Sequence, residues 1–185
     1  MVGFSLYGYA GENKEDTALL LIDIQDFYFL GGRSELVDPE AASLNAKKLL
    51  QKFREKKKLV VHVRHITDTG GEIHKNVYPI EGEKVVSKNH VNCFKDTDLL
   101  EYLREHKIKK LVICGMMTHM CVEAAVRAAH DYDFETILIH DACATRALTY
   151  GDREIGAADV HMSTLSSLNR YYSRVLDTEI FLKDF

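Results

Sequence analysis

The segment Leu111-Val-Ile-Cys-Gly-Met-Met-Thr-His-Met-Cys-Val-Glu-Ala-Ala-Val-Arg-Ala-Ala129 decides the fold of this chain. A continuous apolar run, typical of a buried strand, stops at Gly115, and a helical pattern begins at Thr118. If Thr118 is the N-cap, Cys121 is the third residue of the helix, where unpaired N–H groups and the helix dipole stabilise an anion. We therefore expect the Cys121 thiol to favour the thiolate form and to be a usable nucleophile, although a small buried core cysteine gives the same pattern.

Composition and charge exclude several classes of protein. The chain has 185 residues, 46% of them hydrophobic and 28% charged, which is ordinary for one globular domain. Its net charge of −4 offers no basic surface for nucleic acid. No apolar run is long enough for a membrane helix and no secretion signal is evident, so we expect a cytoplasmic protein without membrane contact. The four cysteines are widely spaced and form no CxxC pair, which indicates reduced thiols.

Apolar runs alternate with amphipathic stretches along the chain, which predicts strands with helices between most of them. The predicted strands are Ala18–Asp23, Leu59–Arg64, Lys84–Ser87, Lys110–Cys114, Thr136–His140 and Arg174–Leu176. The predicted helices are Ala41–Lys57 opened by Asp38-Pro39, a second from Asp96 or Thr97 to His106, a third from Thr118, and a last one over Asp152–Tyr171. Strands that are almost entirely Val, Ile and Leu are buried on both faces. The expected fold is a three-layer α/β/α sandwich with a mostly parallel, Rossmann-like sheet of about six strands.

Three chemically useful residues lie at or just past the carboxyl ends of predicted strands. Asp23 ends the first strand, Lys88 follows the third, and Cys121 follows the fourth. Sites in parallel α/β sheets lie at this edge, so a carboxylate, an ammonium and a thiol meeting there would form a nucleophile with a base and an electrostatic partner. Taken singly, Asp23 is equally well a loop cap and Lys88 a solvated surface residue.

Four motifs run through the chain in a fixed order. They are Leu-Ile-Asp23-Ile-Gln-Asp-Phe27, Lys88-Asn-His-Val-Asn-Cys-Phe-Lys-Asp-Thr-Asp-Leu99, Gly115-Met-Met-Thr-His-Met-Cys-Val122 and Asp141-Ala-Cys-Ala-Thr145. Together they resemble the isochorismatase-like cysteine hydrolase superfamily, which includes nicotinamidases and N-carbamoylsarcosine amidohydrolases. The resemblance covers about Thr17 to Leu182. We therefore expect one domain over residues 1–185, with residues 1–16 as an N-terminal extension.

The resemblance implies a role for each residue of the site. Asp23 resembles the general base, Lys88 the residue that supports the carboxylate and the thiolate, and Cys121 the nucleophile. It also implies a cis peptide bond between Met116 and Met117, with the backbone N–H groups of Met117 and Cys121 as the oxyanion hole. A homo-oligomer, a dimer or larger, is implied as well, acting on a small-molecule substrate without a cofactor.

The implied reaction is hydrolysis of a C–N bond in a small amide, ureido or imide compound through a cysteine thioester. One alternative is a metal-dependent, nicotinamidase-like amidase. Nicotinamidases carry an Asp-x-His pair after the second strand, and the stretch Val61–Asp68 lacks it. The spacing of His62, His65 and His74 matches no recognised zinc motif, so we expect no bound metal. The other alternative is a non-catalytic protein, either a redox-sensing thiol or an oligomeric scaffold.

Four further residues are candidates for contact with a substrate. Phe27, with Tyr28 and Phe29 beside it, follows the first strand and would line an apolar wall, although core packing explains such aromatics equally well. Arg64 and His65 end the second strand, and a planar guanidinium suits recognition of a carboxylate. His119 precedes Cys121 by two residues. The alternative without a function is that His119 is an exposed residue at the start of the helix.

Overall fold

Six parallel strands form the central sheet of the protein, which a computed structural model describes over residues 16–185. The strands are β1 (Thr17–Ile22), β2 (Leu59–His65), β3 (Lys84–Lys88), β4 (Lys110–Met116), β5 (Glu135–Ala144) and β8 (Arg174–Leu176), in the spatial order β3-β2-β1-β4-β5-β8. Two short strands, β6 (Leu148–Tyr150) and β7 (Arg153–Ile155), pair with each other in a separate antiparallel hairpin. The predicted parallel sheet of about six strands is confirmed. The predicted N-terminal extension, apart from Asp16, lies outside the described residues.

Within residues 16–185, five α-helices accompany the sheet and complete the three layers. They are α1 (Pro39–Glu55), α2 (Leu99–Glu105), α3 (Glu123–Asp131), α4 (Ala157–Leu168) and α5 (Thr178–Asp184). Helix α1 packs against α5, where the rings of Phe53 and Phe185 stack with centroids 4.5 Å apart, and α3 packs against α4. No helix among residues 16–185 is long and apolar enough to cross a lipid bilayer.

Strand β1 lies at the centre of the sheet because it is apolar on both faces. All six of its residues are buried, and it pairs in parallel with β2 on one side and with β4 on the other. Helix α1 begins where predicted, with Asp38 at the N-cap and Pro39 as its first residue. Its buried stripe is Ala42, Ala46, Leu49, Leu50 and Phe53, at the spacing of one helical face.

The structure corrects the predicted last helix. Residues of the predicted Asp152–Tyr171 helix form part of the β6–β7 hairpin before α4 begins at Ala157. Gly151 adopts a φ of +62° in the hairpin turn, a conformation that glycine reaches without steric cost. Helix α5 was not predicted from the sequence.

The starts of two other helices also differ from the prediction. The N-cap of α2 is Asp98, one residue after Thr97, whose hydroxyl donates to the Cys93 carbonyl and accepts from the Leu99 N–H. Thr118 is not an N-cap either. It is the first residue of a π-helical turn, Thr118–Val122, that follows Met117 and leads into α3.

Gly115 allows β4 to lie beside the end of β1. Its φ is +131°, and a Cβ atom at this position would lie 2.0 Å from the carbonyl oxygen of Ile22. That oxygen belongs to the backbone of the strand that carries Asp23, so it cannot move away as a flexible side chain could. Only glycine fits here without displacing one of the two strands.

We expect Gly115→Ala to lower the free energy of unfolding by roughly 3 kcal/mol or more, because backbone strain of ~1–3 kcal/mol adds to the displacement of a strand. Gly151→Ala is the matched control. It places a methyl group at a positive φ with nothing within 4 Å, so about 1 kcal/mol is expected. Urea unfolding of both variants measures the difference, and equal losses would contradict the close approach of β4 to β1.

Candidate active site

The carboxyl ends of β1, β3 and β4 bring Asp23, Lys88 and Cys121 together. Asp23 is the first residue after β1, Lys88 is the last residue of β3, and Cys121 lies in the π-helical turn after β4. The Lys88 Nζ atom is 2.7 Å from the Asp23 Oδ2 atom and 3.3 Å from the Cys121 Sγ atom. All three residues are buried, with exposed fractions of 0%, 1% and 5% for Asp23, Lys88 and Cys121. The alternative of a solvated Lys88 is therefore wrong.

The backbone turns sharply at Asp23. Its N–H donates to the carbonyl of Val63 at 2.9 Å, which continues the pairing of β1 with β2 for one more residue. Its φ of +48° lies in the left-handed region, which aspartate tolerates better than most residues. The Asp23 side chain pairs with Lys88, which makes its role more than that of a loop cap.

A third group completes the surroundings of the Lys88 ammonium. Besides Asp23 and Cys121, the Nζ atom lies 3.2 Å from the Nδ1 atom of His65, which is paired in register with Lys88 across β2 and β3. A lysine ammonium has three N–H donors, and three groups that can accept surround it here. Burial and the charge of Lys88 lower the pKa of His65, which keeps Nδ1 free to accept.

Burial and mutual charge set the protonation of the three groups. Burial raises the pKa of Asp23, and the charge of Lys88 opposes this. Burial disfavours the charge on Lys88, but Asp23 and Cys121 outweigh that effect and raise its pKa. Burial and the charge of Asp23 raise the pKa of Cys121 to about 12, while Lys88 lowers it. Burial and the Asp23 carboxylate thus work against the expected thiolate at Cys121, and the Lys88 ammonium works for it.

The turn that carries Cys121 is closed on Met117. The N–H groups of Met120 and Val122 both donate to the Met117 carbonyl, and the Met116–Met117 peptide bond is cis. Thr118 anchors the turn to β5, because its hydroxyl lies 3.2 Å from the Ala144 carbonyl and its side chain is fully buried. These contacts fix the sulfur atom relative to the strand ends.

Gln25 is a positioning residue that the sequence analysis did not single out. Its side-chain amide donates to the carbonyls of His65 at 3.0 Å and Gly71 at 2.8 Å, and its oxygen accepts from the His65 N–H at 2.8 Å. Gln25 is fully buried. The amide thus holds the end of β2, and with it the imidazole that contacts Lys88. Its signal in the sequence was a polar side chain two residues past Asp23.

His65, rather than its neighbour Arg64, contacts Lys88. Neighbouring strand residues point to opposite faces, and the His65 side chain is the one that lies against the ammonium. The Arg64 Nη1 atom lies 4.0 Å from the carboxylate of Glu72. The expected contacts of Arg64 and His65 with a substrate stay predictions.

Phe27 and His119, two further candidates for substrate contact, lie in the chain segments that follow β1 and β4. Phe27 is buried, and its ring centroid lies 4.1 Å from that of Tyr28. His119 is half-buried, with its Nδ1 atom 2.6 Å from the Thr145 hydroxyl. His119 is therefore held against the end of β5. The alternative that His119 is an exposed residue at the helix start is wrong.

The histidines considered for zinc do not come together. The His62 Nε2 atom pairs with the Glu83 carboxylate at 2.9 Å, and the His74 ring stacks on Phe29. Within residues 16–185, one group has metal-ligand spacing: Asp23, His65 and Cys121, whose ligand atoms lie within 4.8 Å of one another. The Lys88 ammonium already contacts all three of these residues. A metal ion there would meet a like charge, so the residues do not fit a metal.

Residues 17–179 match the family model of the isochorismatase domain. The uncharacterized isochorismatase family protein YddQ of Bacillus subtilis is 44% identical over 178 residues, which cover 90% of this chain and 99% of YddQ. A streptothricin hydrolase of Streptomyces noursei is 32% identical over 137 residues, 69% of this chain and 54% of that enzyme.

A solved structure of the same family is similar to this chain in fold and in sequence. A crystal structure of a candidate isochorismatase hydrolase from Oleispira antarctica superposes with a TM-score of 0.89 at 43% identity, covering 94% of this chain and 100% of that one.

The balance of charges around Cys121 predicts opposite effects of two substitutions on alkylation by iodoacetamide. Asp23→Asn removes a charge that raises the pKa of the Cys121 thiol, so labelling at pH 8 should become faster. Lys88→Met removes the charge that lowers this pKa, so labelling should become slower. Peptide mapping over a pH series measures the rate at Cys121.

Cys143 provides the internal reference for this experiment, because its thiol has a pKa that burial raises to about 12 without contact with Lys88. Its labelling should be the same in all three proteins. Equal labelling of Cys121 in the wild type and both variants would show that the ion pair does not control the thiol.

Proposed function

The chain belongs to the isochorismatase family, and on this premise we propose that it is a hydrolase that cleaves a C–N bond in a small amide, ureido or imide compound through a thioester on Cys121. The observation that carries the proposal is the Lys88 ammonium, which contacts both the Asp23 carboxylate and the Cys121 sulfur in a buried site. A nucleophile with a base and a fixed charge beside it is the arrangement that covalent acyl transfer needs.

The first step forms the thioester. Asp23 takes the proton of the Cys121 thiol, and the sulfur attacks the carbonyl carbon of the substrate. The charge that develops on the carbonyl oxygen is held by the backbone N–H groups of Met117 and Cys121, which the closed turn fixes in place. Loss of one such donor costs ~3–4 kcal/mol in other enzymes.

Asp23 then returns the proton to the departing nitrogen as the C–N bond breaks. Water enters, Asp23 removes its proton, and the resulting hydroxide attacks the thioester carbonyl and releases the carboxylic or carbamic acid. The proton goes back to the sulfur, and the site returns to its resting state. A carboxyl group whose pKa is raised by burial suits this exchange of protons, because it takes up and gives up a proton closer to neutral pH.

Lys88 keeps its proton throughout this cycle. Its Nζ atom stays within hydrogen-bond distance of both partners, so it stabilises whichever of Asp23 and Cys121 is negative at a given step. The contact with His65 holds the ammonium between them.

The two alternative functions have less support from the site. A redox-sensing thiol needs a readily ionised sulfur, and the charge of Asp23 works against that. A metal-dependent amidase needs a cation site that the Lys88 ammonium does not already fill. Hydrolysis through Cys121 uses both the Asp23 carboxylate and the Lys88 ammonium. The expected homo-oligomer and the cytoplasmic location stay predictions.

Removal of the nucleophile tests the proposal. With a panel of small amides, ureas and imides, and ammonia release as the measurement, we expect Cys121→Ala to abolish turnover. Asp23→Asn should slow it by about 10²–10⁴-fold, because the shape is kept but the base is lost. Cys143→Ala is the matched control, since it removes another buried thiol, whose sulfur donates to the Ile139 carbonyl at 3.3 Å.

Turnover by Cys121→Ala at the wild-type rate would overturn the covalent mechanism. The far-ultraviolet circular dichroism of each variant should match that of the wild type, since a thiol truncation at Cys121 leaves the turn contacts of Met117 and Thr118 in place.

A further inference from the structure

His161 of α4 contacts the turn that carries Cys121, and the proposed reaction gives it no task. Its Nδ1 atom lies 2.9 Å from the Thr118 hydroxyl. His161 is half-buried and shares one face of α4 with Thr164 and Leu165, which are among the residues that this helix buries. The imidazole thus reaches the catalytic turn from the helix layer.

The π-helical turn depends on contacts from outside itself. Turns of this kind are rare and occur mostly at functional sites. The N-cap residue of the turn is Met117, whose thioether donates no hydrogen bond and accepts only weakly. Thr118 supplies a stronger polar group, because its buried hydroxyl contacts both Ala144 of β5 and His161 of α4. This one hydroxyl therefore ties the turn to the sheet and to α4.

The two contacts of the Thr118 hydroxyl determine which nitrogen of His161 carries a proton. A hydroxyl has one proton to donate and two lone pairs that accept. A carbonyl oxygen can only accept, so the Thr118 proton is directed at Ala144, 3.2 Å away. The contact with Nδ1 then needs a proton on that nitrogen. Burial and the nearby His140 lower the pKa of His161, so near neutral pH the ring carries a single proton.

We propose that His161 is a positioning residue for Cys121. Its Nδ1–H group donates to the Thr118 hydroxyl, which keeps the hydroxyl proton directed at the Ala144 carbonyl. The turn is thereby held to both layers, and the sulfur stays against the Lys88 ammonium, 3.3 Å away. Misplacement of a reacting group by about 1 Å can lower a rate by about 10²-fold. The inference rests on the proposed function, because it concerns the sulfur that attacks the substrate.

Two substitutions at His161 separate the N–H donor from the volume that the ring fills. Asparagine presents an amide N–H at the position of Nδ1, whereas leucine presents only a methyl group there. With a substrate from the panel of amides, ureas and imides, His161→Leu should lower kcat by about 10–100-fold and leave KM little changed. His161→Asn should recover most of kcat. A residue that only filled space would give the opposite order, since leucine is the larger replacement.

His106→Leu is the matched control. His106 is the exposed C-cap of α2, and its Nδ1 atom lies 2.8 Å from the Tyr102 carbonyl of the same helix. It comes shortly before β4 begins, and so lies toward the opposite end of the strands from Cys121. Both kcat and KM should match those of the wild type.

A double variant tests whether His161 acts through Thr118. Thr118→Val removes the hydroxyl and keeps the shape of the side chain. If the two residues act through one contact, Thr118→Val/His161→Leu should lose no more activity than Thr118→Val alone. Losses that multiply in the double variant would overturn the proposed route through Thr118.

The tautomer of His161 can be measured without a substrate. In the wild type labelled with ¹⁵N-histidine, two-bond ¹H–¹⁵N correlation spectra at pH 8 should show a protonated Nδ1 and an unprotonated Nε2. The signals of His161 are those missing from the spectrum of His161→Asn. A proton on Nε2 alone would overturn the proposal, even if His161→Leu failed to fold.

The kinetic outcomes are equally decisive. Wild-type kcat in His161→Leu, or a kcat that His161→Asn does not recover, would overturn the positioning role. Turnover that survives Cys121→Ala would instead overturn the proposed function, whatever the variants of His161 do. The two failures are therefore distinguishable.

Discussion

The ion pair between Lys88 and Asp23 is the interaction on which the site depends. Both side chains are fully buried, 2.7 Å apart. Removing two charges from water is costly, and removing one partner of such a pair typically destabilises a protein by ~3–5 kcal/mol. The Lys88 ammonium offsets part of the cost by using its other two donors on Cys121 and His65. The pair therefore holds the nucleophile, the base and the end of β2 in one arrangement.

The parallel sheet makes this arrangement possible. Because β1 lies between β2 and β4, the chain segments that follow these strands meet at one edge. Gly115 brings β4 close to the carbonyl of Ile22, immediately before Asp23. Gln25, two residues further on, then ties the end of β2 to the same place. Backbone contacts of β1, β2 and β4 thus hold the strand ends around Asp23, Lys88 and Cys121.

Local patterns predicted the parts of the structure that local forces determine. The six sheet strands follow from apolar runs that are buried on both faces, and Asp23, Lys88 and Cys121 follow from their places at the ends of those runs. The β6–β7 hairpin was missed because its two strands are only three residues long, and the second of them, Arg153–Ile155, was read as the start of the last helix. Helix α5 is only seven residues long and ends the chain.

Features that depend on distant segments could not be predicted. The turn at Cys121 is anchored by the contact of Thr118 with Ala144, a residue of another strand. The pKa of the Cys121 thiol depends on Asp23, which β1 supplies. A strand pattern shows that Arg64 and His65 face opposite ways, but the pairing of His65 with Lys88 decides which one faces the site.

Trapping the covalent intermediate tests the central claim most directly. The wild-type protein is mixed with a small amide, ureido or imide compound that it turns over, quenched in acid within the first turnovers, digested and analysed by mass spectrometry. The peptide that contains Cys121 should gain the mass of the acyl group, and hydroxylamine should remove it, as expected for a thioester. Steady turnover with an unmodified Cys121, or with the acyl group on another residue, would contradict the claim.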